Sequence, residues 1–219
     1  MTEVAAHVLA QPQLGSPADL LAAFLVLGLL PVLAISVTSF TRIIVVLGLL
    51  RASFGTAALP PNSVLIALAI MLTVAIMGPT LGAISREAVI PYEAHRLTAS
   101  AAFARAERPL RSFMAKQTRP ADIVAFARIA RVTQSSREDV PFFVLAPAFL
   151  VSELRTAFAM GFALALPFAI IDIVVGVILM SLGMFMVSPA SISLPIKLLL
   201  FVSVDGWTLV AGALAASYR

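Results

Sequence analysis

Apolar residues gather into four long runs, separated by short polar joints and by one extended stretch of mixed charge. Leu20 to Phe40 carries no charge over 21 residues, enough for a helix to cross about 30 Å of hydrocarbon. Pro31 inside it predicts a kink rather than a stop. Ser63 to Ile84 is a second uncharged run, and it follows the turn signal Leu59-Pro60-Pro61-Asn62. The third, Thr156 to Val187, is interrupted by Pro167 and is longer than one crossing needs, so it predicts a bent helix or one continuing past the bilayer. The fourth, Leu198 to Ser217, follows the short loop from Ser188 to Pro195.

Short joints make antiparallel neighbours. The pattern therefore predicts an all-α membrane protein with two long helical hairpins (four hydrophobic spans) and a helical polar insert between spans two and three. The expected divisions are an N-terminal segment 1–19, a first hairpin 20–84, the insert 85–140, and a last region 141–219. That last region opens with Pro141 to Val151, apolar but too short to cross, and so expected to be re-entrant or interfacial. Within the insert, Thr118 is placed to cap a helix with Pro120 in its first turn and Asp122 near its positive end. Ile123, Phe126, Ala127 and Ala130 then make one apolar stripe, expected to pack within the chain.

Composition narrows the class. The chain is 61% hydrophobic and 12% charged, with mean hydropathy +1.04, far from a soluble balance. Its high pI does not point to nucleic acid, because ten of the fifteen basic residues lie between Arg86 and Arg137, interleaved with four acids and followed at once by Glu138 and Asp139. Cysteine is absent and the two histidines, His7 and His95, are far apart in sequence, so no metal site, cofactor or catalytic residue is expected. The protein is not expected to be an enzyme.

No Lys or Arg precedes Arg42, whereas the loop after span one carries Arg42 and Arg51 and the loop after span three carries Lys197. By the positive-inside rule those loops are cytoplasmic, which puts the insert on the periplasmic side. Met1 to Asp19 lacks the basic start of a secretory leader.

Candidate chemistry lies inside the spans. Asp172 and Asp205 each sit in an apolar run, where a carboxylate costs roughly 3 kcal/mol and needs a partner, a cavity or a path. Intramembrane polar contacts are expected at both, to a neighbouring helix or subunit. Lys197 is eight residues before Asp205, too far along one helix to pair with it directly. Arg42, Lys197 of another copy, or a partner protein are better candidates. Glu153 and Arg155, at the start of span three, form an expected interfacial charge pair. With Arg42 and Lys197 they make up the expected subunit or interfacial contacts. Met180, Met184 and Met186 cluster at the end of span three beside Gly183. Flexible thioethers suit either ordinary packing or, if copies surround an axis, a compliant ring.

Several motifs together resemble the FliP family of the flagellar type III export gate. They are Ser39-Phe40-Thr41-Arg42 through Arg51 with Pro60-Pro61-Asn62, Ser152-Glu153-Leu154-Arg155-Thr156-Ala157-Phe158, and Phe168-Ala169-Ile170-Ile171-Asp172. Leu182-Gly183-Met184-Phe185-Met186-Val187 and Val204-Asp205-Gly206-Trp207 complete the set. The injectisome protein of the SctR type shares most of these. The resemblance implies a pentamer of such chains with FliQ- and FliR-like membrane proteins, and an FlhB-like one beside them, in the bacterial inner membrane. It implies conduction of unfolded flagellar substrates through a central passage. It also implies a pore gasket at Met184, Phe185 and Met186, where Phe185 departs from the family's three consecutive methionines. A rival reading of another class is a small ion- or proton-coupled transporter using Asp172 and Asp205. Against it, no internal repeat is visible, and the polar insert suits an assembly surface better than a minimal carrier.

Overall fold

The computed structural model describes residues 20–21, 24–25, 28, 31–32, 35–56, 59–132 and 140–218. Every regular element among them is helical. The described residues from 20 to 36 are helical too, but the first expected span stops short of Phe40: residues 37–39 form a turn and Phe40 begins the next helix, while residues 22–23, 26–27, 29–30 and 33–34 lie outside the described residues. Helix α1 is Phe40–Ser53, and α2 is Asn62–Ile84. A π-helical turn, Ser85–Val89, prolongs α2 into the short α3, Ile90–Glu93. In the insert follow α4, Ala99–Gln117, and α5, Pro120–Ile129; then come α6, Phe142–Ser181, α7, Pro189–Ser203, and α8, Gly206–Ala216.

Two helical stretches are long and apolar enough to cross a membrane, the 32 residues from Asn62 to Glu93 and the 40 of α6. The pair α7 and α8 qualifies together, with a 64° bend at the break. The boundaries differ from the sequence pattern in four further places. The second run continues through the π turn, where Pro91 cannot donate to the regular i→i−4 ladder. Residues 142–151 are the opening turns of α6, because Pro141 is accommodated just before a helix start. Helix α7 begins at Pro189, so most of the expected loop is helical. The cap of α5 is Arg119 rather than Thr118. The Thr118 hydroxyl instead donates back to Met114 O at 2.7 Å, which closes α4.

The chain divides into two compact units, described separately. One comprises Met77–Ser152 with the described part of Met1–Ser39. Its core joins Met114 of α4, Ile123 and Ala127 of α5, and Val144, Leu145, Ala148 and Phe149 of α6. The expected stripe on α5 is thus buried within the chain. Arg119 N–H donates to Ser152 Oγ at 3.0 Å, so α6 supplies the acceptor that α5 lacks at its own cap.

The other unit comprises Phe40–Ile76 and Glu153–Arg219. Ile43, Val46, Leu47 and Leu50 of α1 pack with Leu65 and Ala69 of α2 and Ala157 of α6. Gly161 lets α1 and α6 approach closely, since a Cβ there would lie 2.9 Å from Leu49 Cβ. An aromatic chain closes the core, with Phe54 5.1 Å from Phe168 and 5.3 Å from Phe201. Phe201 in turn stands edge-on to Trp207 at 5.1 Å.

Candidate functional site

Three features could carry function, all in the second unit. The first is a buried ionic knot at the start of α1. Arg42 and Glu153 are both inaccessible to solvent and pair in a two-pronged fork, Nε donating to Oε2 at 2.9 Å and Nη2 to Oε1. Nη1 is satisfied by Ser217, at 3.0 Å to its carbonyl and 2.8 Å to its Oγ. The Tyr218 ring lies 3.8 Å from the guanidinium carbon, and its hydroxyl donates to Glu153 Oε2 at 2.5 Å. Burial first, then the facing Glu153 carboxylate, push the Tyr218 phenol up, so it stays the donor. Four residues distant in sequence thereby satisfy one another, as buried charge requires.

The second feature joins α6 to α7. Lys197 Nζ donates to Asp172 Oδ2 at 2.6 Å and to Ser53 O at 2.9 Å. Ser193, one turn before Lys197, donates to Asp172 Oδ1 at 2.6 Å. The two α7 side chains share a face at i,i+4 spacing and grip both oxygens of one carboxylate. Asp205 has no such setting. It sits at the break between α7 and α8 with φ 49°, in the left-handed region, exposed and without a side-chain capping bond. The next residue is Gly206, where any Cβ would run into the Phe201 ring. Arg155, on α6, is exposed.

The third feature is the turn between α6 and α7. Gly183 takes φ 71°, and Met184 N–H donates back to Leu179 O at 2.9 Å, which ends α6 and reverses the chain. Phe185 and Met186 then project from the tip, 81% and 100% exposed. Met184 is also exposed. Among the described residues little covers Phe185 and none covers Met186, while Met184 is partly covered.

Among the described residues no group of three or more His, Asp or Glu stands close enough to hold a metal ion. Sequence reasoning missed Ser53, Ser193, Ser217 and Tyr218. Ser193 had a signal, since its spacing from Lys197 puts both on one helix face; the Ser53 carbonyl had none.

The model of the FliP family matches residues 23–214, which takes in the Gly183 turn, the Asp172–Lys197 cluster and the Arg42–Glu153 pair. The chain belongs to the FliP family. Its relatives include the flagellar biosynthetic protein FliP of Pectobacterium carotovorum subsp. carotovorum, 49% identical over 190 residues, covering 86% of this chain and 74% of that one. That of Cereibacter sphaeroides is 48% identical over 201 residues, covering 91% and 67%. That of Bacillus subtilis (strain 168) is 44% identical over 204 residues, covering 93% and 92%. Ser217 and Tyr218, which complete the Arg42 knot, lie just beyond the matched span.

Proposed function

We propose that this FliP-family chain is a pore-forming subunit of a type III protein-export gate. It assembles with copies of itself and with FliQ- and FliR-like partners in the bacterial inner membrane and conducts unfolded flagellar substrates. Relatives named for flagellar biosynthesis support the flagellar setting, and the membrane-length helices support the location. In this reading the insert faces the periplasm.

The observation that carries the proposal is the turn at Met184, Phe185 and Met186. Large apolar side chains as open to solvent as Phe185 and Met186 on a reversing turn are costly in an isolated chain. Copies arranged around an axis would bring these tips together as a gasket that excludes water when closed. The two methionines adapt to a passing chain, and Phe185 adds a stiffer apolar plug. The Arg42–Glu153 and Asp172–Lys197 pairs hold the helices behind that turn, while exposed Arg155 and Asp205 are contacts for neighbouring subunits.

Replacing residues 184–186 with glycine and serine tests this. The membrane should become permeable to ions and small solutes while the oligomer, weighed by native mass measurement, still forms. Unchanged conductance with a confirmed oligomer returns the turn to ordinary packing. A wild-type chain that stays monomeric beside its partners defeats the gate itself.

A further inference from the structure

The acids of the insert do not share its surface. From Ala99 to Val132 every exposed charge is a cation: Arg105, Arg108 and Lys116 on α4, Arg119 at the joint, and Arg128 and Arg131 at the end of α5. The two carboxylates of that stretch are turned away. Glu107 is half-buried and paired with Arg111 one turn on, and Asp122 is only 5% exposed. Around the π turn and α3 the exposed charges offset each other, Arg86 and Arg96 against Glu87 and Glu93. What reads as mixed charge along the sequence is therefore, across α4 and α5, a surface of one sign.

Helix α4 gathers its share on one side. Arg105, Arg108, Ser112 and Lys116 fall at i, i+3, i+7 and i+11, a stripe about 80° wide, and all four are exposed. Leu110 and Met114, on the opposite side, pack in the core with Val144 and Phe149 of α6. Depth then says what the stripe meets. The uncharged helical run Ser63 to Ile84 is about 33 Å long, close to the roughly 30 Å of hydrocarbon it has to cross. Its first charges, Arg86 and Glu87, come in the π turn, which therefore stands at the level of the headgroups, and α4 packs against that turn. The negative potential of an anionic bilayer reaches out about one Debye length, roughly 8–10 Å. We infer that the Arg105–Lys116 stripe of α4 is seated on anionic phospholipid headgroups. Guanidinium forks suit phosphate oxygens, and each basic residue near such a surface strengthens the attraction about fivefold.

This inference takes the membrane location from the reading above and does not need the pore. The chain has no cysteine, so Ser112→Cys gives a single dye site in the middle of the stripe. The full chain is placed in nanodiscs of phosphatidylcholine, with or without phosphatidylglycerol, each carrying a lipid-borne quencher. Quenching should be at least about twofold stronger with the anionic lipid, and should fall to the neutral level at about 1 M salt, where the Debye length is about 3 Å. Arg105→Gln, Arg108→Gln and Lys116→Gln together should weaken the docking about a hundredfold and bring quenching to the same low level. Melting should not change, since glutamine keeps the helix. Equal quenching in neutral and anionic discs, or quenching that ignores salt, overturns the inference, because the tether alone would then hold α4 near the lipid. A dye shielded only once partner membrane proteins are added, and never quenched by lipid, assigns the stripe to an acidic protein face and overturns it too. Either result leaves the gate standing, whereas a chain that does not enter the discs removes the membrane location itself.

Discussion

Lys197 and Asp172 share one ion pair but not one environment: the lysine side chain is 2% exposed and the aspartate 47%. The ammonium is held by Asp172 Oδ2 and by Ser53 O, well inside the unit, whereas the carboxylate sits at its edge. Removing either partner therefore leaves two different problems. Asp172→Ala strands a buried cation and should cost about 3 kcal/mol, the lower end for breaking a buried pair, because one partner is half in contact with the surroundings. Lys197→Met leaves a carboxylate that can reach water or a polar neighbour and should cost less. Thermal unfolding in detergent reads the difference, and equal losses would contradict the asymmetry.

The ionic knot should behave as one unit. Tyr218→Phe removes a hydrogen bond to a charged acceptor, for a loss of about 1.5–3 kcal/mol. Arg42→Met leaves Glu153 buried without its cation and should cost about 3–5 kcal/mol. A double-mutant cycle between the two positions should show coupling of at least about 0.5 kcal/mol. Strict additivity would mean that Tyr218 and Arg42 act independently.

Gly161 predicts a steric phenotype. Alanine there must displace Leu49, and overpacking of this kind costs about 1–3 kcal/mol. Leu49→Ala in the same chain should recover part of the loss, since it removes the Leu49 atoms beyond Cβ. A Gly161→Ala variant with wild-type melting behaviour would show that α1 and α6 can separate freely.

Ser152→Ala should weaken the junction of α5 with α6. It deprives the Arg119 amide of its acceptor and should cost about 1 kcal/mol. Hydrogen exchange should speed up at Arg119 while the Thr118 amide, bonded to Met114 O, stays protected. Unchanged exchange at Arg119 would contradict that role for Ser152.

What the sequence made legible was whatever depends on local periodicity. Uncharged runs marked the membrane-length helices, and the Ile123–Ala127 spacing marked the buried side of α5. Pairings across helices were less legible. Lys197 was weighed along its own helix or from another copy, while its carboxylate comes from α6 of the same chain, 25 residues earlier. Ser217 and Tyr218 gave no periodic signal, because their role depends on where α8 delivers them. The break before α8 did have one, the Asp205-Gly206 dipeptide, which marks a turn even inside an apolar run. The one-signed surface of α4 and α5 was hidden, because a charge count weighs Glu107 and Asp122 equally with their neighbours while the fold turns them inward.

The break between α7 and α8 also dictates what may touch it. The first amides of α8 and the last carbonyls of α7 lie at helix ends, beyond the reach of continuous helical bonding. Oil offers such groups nothing, and each one left bare in hydrocarbon costs several kcal/mol. A bend of 64° with an exposed carboxylate on it is therefore a spot from which lipid tails are turned away. Whatever lies against Asp205 in the living membrane has to be wet, or has to be protein.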